Sequence, residues 1–213
     1  MRRVLAPSLL LLIVAWASVA VPAQSLAPSA LRILVVVDSS SSVGPVLNPI
    51  RAALQTLFTE IPPDSEVVMV STGGQLRVRM TPTRDRERWL AQAKSFAQDG
   101  GANALVDTLL EADRRFLRNT ERRPIIVVLT TDGNEMRDEA RLDDYNVFVR
   151  GFMDRRGRAH GIVVRTARLN GIATEIVLNL ARNTSGFFDS IAAPTALPQR
   201  MKALADVLSA DGP

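Results

Sequence analysis

The chain has 213 residues, of which 46% are hydrophobic, so it can bury one substantial core and is expected to form one domain. It contains no cysteine and a single histidine, which excludes a thiol nucleophile, a zinc–thiolate site and an iron–sulfur cluster. The formal net charge of +4 falls to +2 without Arg2 and Arg3, a balance that does not indicate nucleic-acid binding.

The first 23 residues have the pattern of a secretory signal peptide. A positive Met-Arg-Arg start precedes an almost entirely apolar stretch, Leu9–Val21, and the small residues of Val21-Pro22-Ala23 favour cleavage before Gln24. We therefore predict a signal peptide over 1–23, a linker over 24–30 and a domain over 31–210. The predicted location is secreted or periplasmic, without stable membrane insertion after cleavage. An uncleaved membrane anchor is the alternative.

Apolar runs alternate with stretches of helical periodicity through most of the chain. A strand over Ile33–Val37 precedes a helix that opens at Pro45, and two strands, Glu66–Ser71 and Gln75–Met80, form a hairpin around Thr72-Gly73-Gly74. Thr83 and Asn103 are expected to cap the next two helices. The later elements are predicted as the strands Ile125–Thr131 and Ile162–Arg165, a short strand starting at Phe187, and the helices Leu142–Met153, Ala173–Ala181 and Leu197–Leu208.

This alternation predicts an α/β fold with a doubly wound, mostly parallel sheet and helices on both faces. The expected strand order is 3-2-1-4-5-6, with one antiparallel edge strand from the hairpin. In that order the direction of winding reverses between the first and fourth strands. Ligands of such sheets bind in the crevice at this point, outside the carboxyl ends of the strands.

Oxygen-bearing side chains follow both of these central strands. Asp38, Ser40 and Ser42 come directly after the first strand, and their alternate spacing lets a looping chain turn them toward one point. Asp132 follows Ile125–Thr131, the fourth strand. Hard cations such as Mg²⁺ take oxygen ligands from one or two carboxylates together with neutral oxygens and water. These residues are therefore candidate metal ligands.

The Asp-x-Ser-x-Ser run, the Gly-Gly loop about sixty residues later and the Thr-Asp-Gly after the next strand resemble a von Willebrand factor type A domain. The resemblance covers roughly residues 31–210 and implies a metal-ion-dependent adhesion site (MIDAS). It implies Mg²⁺ or Mn²⁺ held by Asp38, Ser40 and Ser42, with Asp132 acting through water. The family usually has a threonine ligand where this chain has Ala102, so the site is partly degenerate. Asn103, one position later, is the candidate replacement.

The resemblance implies an exported binding module that captures a protein partner through an Asp or Glu carboxylate on the bound cation. The alternative is a scaffold or assembly domain of the same fold that needs no metal, with the serines bonded to backbone groups. A metal-dependent enzyme is the third possibility. We expect no enzymatic activity and no catalytic residues, because the motif loops lack a histidine or lysine and no phosphate-binding glycine loop is present.

The remaining ionisable residues are interpreted as structural or solvent-exposed rather than as parts of a site. His160 is expected at the start of a strand, away from the site, in a structural role. Arginine clusters, among them Arg122-Arg123 and Arg155-Arg156-Gly157-Arg158, are taken as solvated surface, with a polyanion site as the alternative. The acids within residues 134–139 are likewise interpreted as a solvated loop rather than a second cation site.

Overall fold

The computed structural model describes residues 30–133, 141–166 and 171–211. The strands are β1 (Leu31–Val37), β2 (Glu66–Ser71), β3 (Arg77–Thr83), β4 (Arg123–Thr131), β5 (Arg158–Val164) and β6 (Phe188–Ile191). The helices are α1 (Leu47–Glu60), α2 (Arg86–Ser95), α3 (Leu105–Ala112), α4 (Leu142–Asp154), α5 (Ile172–Asn183) and α6 (Leu197–Asp211). A 3-10 segment, Ser41–Val46, leads into α1, and a π-helical turn, Asp113–Leu117, continues α3.

The six strands form one sheet in the order β3-β2-β1-β4-β5-β6, which confirms the predicted topology. All neighbours are parallel except β2 and β3, whose antiparallel pairing contains register shifts. The third strand spans Arg77–Thr83 rather than the predicted Gln75–Met80, because the residues before Arg77 remain in the turn. The two outer strands are thus the antiparallel β3 and the four-residue β6.

The central strands are buried on both faces, as their uninterrupted apolar sequence predicts. Alternate side chains of β1 point to opposite sides. Ile33 and Val35 pack in the core layer that includes α1, α2 and α6, and Leu34 and Val36 pack in the layer that includes α3, α4 and α5. This double covering holds the strand ends in fixed positions at the two edges of the sheet.

Two expected helix caps are wrong, and one strand boundary moves. Asp85, rather than Thr83, caps α2, because its carboxylate accepts hydrogen bonds from Glu87 N and Arg88 N while Thr83 still belongs to β3. Ala104 occupies the cap position of α3, and the Asn103 side chain is used elsewhere. Because β5 begins at Arg158, His160 lies inside the strand, where it is 1% exposed.

The predicted signal peptide, nearly all of the predicted linker and the acid-rich loop over 134–139 lie outside the described residues. In the part of the chain that the structure describes, no helix is both long enough and apolar enough to span a membrane.

Candidate metal site at the carboxyl edge of the sheet

The two candidate aspartates emerge from neighbouring strands at the same edge. β1 and β4 are parallel and in register, with Val37 opposite Leu129, and Asp38 N donates to Leu129 O at 2.9 Å. Asp38 and Asp132 are each 1% exposed. Two buried carboxylates therefore lie where the winding of the sheet reverses, which is where ligands of such sheets bind.

The Asp38 carboxylate is oriented by its two neighbouring segments. Its Oδ1 accepts a hydrogen bond from Ser40 N at 2.8 Å. Its Oδ2 accepts from Thr131 Oγ1 at 2.6 Å and from Thr131 N at 3.1 Å. Because these donors come from rigid backbone and from the end of β4, the carboxylate is fixed before any ligand binds.

A row of hydroxyls runs beside this carboxylate. Ser40 Oγ lies 2.7 Å from Ser42 Oγ, and Ser42 Oγ lies 3.0 Å from Thr131 Oγ1. Thr131 is an additional site residue that is absent from the predicted ligands. Its position at the strand end, directly before Asp132, is the feature of the sequence that indicates it. The structure thus brings together Asp38, Ser40 and Ser42 and adds a third hydroxyl between the two aspartates.

Asp132 has one oxygen engaged and one without a partner. Its Oδ1 accepts hydrogen bonds from Thr166 N at 2.7 Å and Thr166 Oγ1 at 2.8 Å. Its Oδ2 is buried and has no hydrogen-bond partner among the described residues. An unpaired buried carboxylate oxygen is costly, so it needs an explanation such as a bound ion or water. A hard cation would supply a partner for this oxygen, and the hydroxyl row reaches the same segment, since Ser42 Oγ donates to Gly133 O at 3.3 Å.

A cation at this edge would depend on hydroxyl ligands as well as carboxylates. Within residues 30–133, 141–166 and 171–211 there is no group of three or more carboxylate or imidazole side chains that could hold a metal ion. The available donors are hard neutral oxygens and two carboxylates, a set that suits Mg²⁺ or Mn²⁺ better than zinc.

Asn103 is buried behind the hydroxyl row. Its Oδ1 accepts from Thr72 Oγ1 at 2.5 Å, and its Nδ2 donates to Thr130 Oγ1 at 2.9 Å. Thr130 Oγ1 in turn lies 3.4 Å from Asp38 Oδ2. The structure therefore separates Asn103 from Asp38 by one threonine hydroxyl. The neighbouring Ala102 offers only its carbonyl, which accepts from Gly74 N at 2.7 Å.

Asp99 ties the middle loop to the loop after β1. Its Oδ2 accepts from Ser39 Oγ at 2.7 Å and Ser71 Oγ at 3.0 Å and pairs with Arg79. Asp99 N and Gly100 N both donate to Ser39 O, at 2.8 and 3.0 Å. Burial acts to raise the pKa of Asp99, but the Ser39 hydrogen bond and the charge of Arg79 outweigh it and hold that pKa below its usual value.

Gly73 allows three loops to meet at this point. A Cβ atom there would lie 2.7 Å from Ser39 O and 2.8 Å from Gly100 O, closer than real Cβ contacts come. Gly73 N donates to Ser39 Oγ at 2.9 Å. The loops that carry Ser40 and Ala102 are therefore held by contacts that need no metal.

Comparisons with known proteins agree with this fold. The family model described as von Willebrand factor type A domain matches residues 33–135. A von Willebrand factor type A structure from Catenulispora acidiphila has a TM-score of 0.69 at 15% identity, over 85% of this chain and 43% of that chain. Proximal thread matrix protein 1 from the mussel byssus is described with a zinc-occupied MIDAS motif. It has a TM-score of 0.66 at 15% identity, over 85% of this chain and 46% of that chain.

An aerotolerance-related membrane protein from Bacteroides fragilis has a TM-score of 0.62 at 14% identity, over 83% of this chain and 99% of that chain. No curated protein sequence matches the chain. The chain spans less than half the length of the first two structures, and at these identities the likeness shows the fold. The family match covers just under half of the chain, and together with the strand order and these superpositions it shows that the chain has the fold of a von Willebrand factor type A domain.

Proposed function

We propose that this domain is an exported binding module that captures a protein partner through a divalent cation. Asp38, Ser40 and Ser42 would hold the cation, with Asp132 acting directly or through water. The observation that carries the proposal is the buried Asp132 Oδ2, which has no hydrogen-bond partner among the described residues and lies in a loop adjoining the hydroxyl row. The zinc-occupied MIDAS motif of the mussel protein supports it as a property of a fold neighbour.

The bound cation would supply positive charge for an Asp or Glu carboxylate of the partner. Side chains of the protein already hold the oxygen atoms of this position in place. Thr131 fixes the Asp38 carboxylate, and the hydroxyls of Ser40 and Ser42 can rotate to present oxygen lone pairs. With only two carboxylates at the site, the cation would keep enough charge to attract a third from outside. The proposal is for binding without catalysis.

The test is the melting temperature of the full chain in EDTA and then in excess Mg²⁺ or Mn²⁺. A ligand that binds only the folded state at a hundredfold excess over its Kd stabilises by about 2.7 kcal/mol, which corresponds to a rise of about 5–10 °C. Ser42→Ala should abolish the rise because it removes one hydroxyl ligand. Ser95→Ala, an exposed serine on α2, is the matched control and should keep it. No rise in the wild-type chain contradicts the proposal.

A metal-independent scaffold is the second candidate, and a specific observation favours it. Asp38 and the hydroxyls of Ser40, Ser42 and Thr131 already satisfy one another, and Ala102 offers no side-chain ligand. Under this alternative Mg²⁺ and Mn²⁺ leave the melting temperature unchanged. Partner binding would then persist in EDTA and in the Ser42→Ala variant.

A further inference from the structure

The opposite edge of the sheet gathers two arginine clusters that lie far apart in the sequence. β4 and β5 are parallel neighbours with Ile125 opposite Arg158, and Arg123 Nε donates to Arg156 O at 3.2 Å, so the segments around the two strand starts lie side by side. These segments line a cavity of about 520 Å³, which we call the arginine cleft. Its charged lining residues are Arg118, Glu121, Arg122, Arg123, Arg155 and Arg156.

The acidic groups near the arginine cleft do not balance its positive charge. Five arginines line it, against one lining carboxylate, Glu121. Below them the buried Asp113 pairs with Arg155 at 2.7 Å and with Arg118 at 3.4 Å, and Glu66 lies 3.5 Å from Arg122. Arg156 is exposed and has no ion-pair partner among the described residues. A net positive cavity remains.

Arg155 supplies an independent sign of a missing partner. Its Nη2 is paired with Asp113 and its Nε donates to Gly151 O at 2.9 Å. Its Nη1 is buried without a hydrogen-bond partner in the part of the chain that the structure describes. A buried charged donor without an acceptor costs free energy, and an anion in the cavity that Arg155 lines would offset the charge of this guanidinium group.

We propose that the arginine cleft binds a phosphate group, carried either by a small soluble ligand or by a lipid headgroup. Guanidinium groups match phosphate oxygens in bidentate geometry and remain charged at all ordinary pH values. A single carboxylate would balance only one of the excess charges, whereas a phosphate carries up to two. The cleft is at the amino edge, a full strand length (about 25 Å) from Asp38, so this site acts independently of the metal site.

The first experiment titrates the full chain with inorganic pyrophosphate by calorimetry at low salt. The test variant combines Arg118→Gln with Arg156→Gln, two exposed side chains, so the fold should be kept. The matched control combines Arg84→Gln with Arg88→Gln, which removes the same charge from exposed positions around the start of α2. We expect the test variant to bind at least about tenfold more weakly and the control to bind like the wild type.

The second arm separates the two sources of phosphate. Vesicles containing phosphatidic acid, whose headgroup is a phosphate monoester, are sedimented with the protein, with and without pyrophosphate, beside vesicles of phosphatidylcholine alone. Binding to the anionic vesicles that pyrophosphate competes away assigns the cleft to a lipid headgroup. Pyrophosphate binding without vesicle binding assigns it to a soluble ligand.

Two results overturn the proposal. One is that neither pyrophosphate nor anionic vesicles bind the wild-type chain. The other is that both double variants lose affinity equally, since that would show general charge attraction rather than a site. Ser42→Ala should leave pyrophosphate binding unchanged. This variant therefore distinguishes a failure of the phosphate proposal from a failure of the proposed metal site.

Discussion

The two edges of the sheet differ in how their side chains are held. At the carboxyl edge, short side chains from strand ends, such as Asp38 and Thr131, are buried and bonded to backbone groups and to one another. At the amino edge, long arginines such as Arg118, whose side chain is 56% exposed, reach in from loops and helix ends. The comparison indicates that the first edge is part of the folding core, whereas exposed arginines of the second, such as Arg118, can change with less effect on stability.

Replacing Asp38 with alanine should have the largest effect on stability. The substitution leaves Thr131 N and Ser40 N without their acceptor in a buried position, and the predicted loss is about 3 kcal/mol. Urea denaturation of the full chain without metal measures it. Asp64→Ala, at an exposed aspartate, is the control and should change stability by less than about 0.5 kcal/mol. An unchanged Asp38→Ala variant would mean that repulsion between the two carboxylates offsets these hydrogen bonds.

Asp99→Asn tests whether the carboxyl edge is held by charge as well as by hydrogen bonds. The variant keeps the shape of the side chain but leaves Arg79, which is 19% exposed, without its carboxylate, and should cost about 2 kcal/mol at pH 7. Because the folded pKa of Asp99 lies below its unfolded value, its stabilisation is present at neutral pH and is lost as the pH falls through the folded pKa.

The difference in stability between the wild type and Asp99→Asn should therefore shrink in acid. Denaturation midpoints at pH 7 and at acidic pH measure this convergence. A difference that stays constant with pH would assign the effect to packing of the loop rather than to charge.

His160 lies near the amino edge, and its effect on stability should be confined to acidic pH. Burial, followed by the charges of Arg158 and Arg123, lowers its pKa to about 4. Because the folded state resists the proton that the unfolded state accepts, stability falls by about 1.4 kcal/mol per pH unit between pH 6.5 and 4. His160→Gln should remove this part of the acid sensitivity. In Arg158→Gln, NMR titration should show a higher pKa for His160, and an unchanged value would exclude the arginine contribution.

The fold and the two aspartates could be predicted because backbone patterns determine them. Uninterrupted apolar runs define the central strands, and parallel pairing fixes that Asp38 and Asp132 leave the sheet at one edge. The roles of Thr131 and Asp99 could not be predicted in the same way. Thr131 contacts Asp38 across 93 sequence positions, and Asp99 contacts Ser39 across 60, so both depend on how loops approach.

Asn103 shows why a residue type alone was a weak guide. Asparagine is a common helix cap and also a possible cation ligand, and the sequence supports both roles equally. In the structure the amide bridges Thr72 and Thr130, because β2 and β4 end on either side of it, and Ala104 takes the cap position. The sequence offers a polyanion site as an alternative for each arginine cluster, but their meeting in one cleft could not be predicted. Its two clusters are separated by 33 residues and meet only because β4 and β5 pair in register.

The construction of the outer strands has a consequence for self-association. An open sheet edge can recruit a strand from another molecule, and natural proteins prevent this with charge, irregular pairing and short edge strands. β3 carries Arg77, Arg79 and Pro82 and pairs with register shifts, and β6 is only four residues long. Neither edge offers a flat template, so the folded protein should tolerate high concentration without growing into aggregates from its sheet.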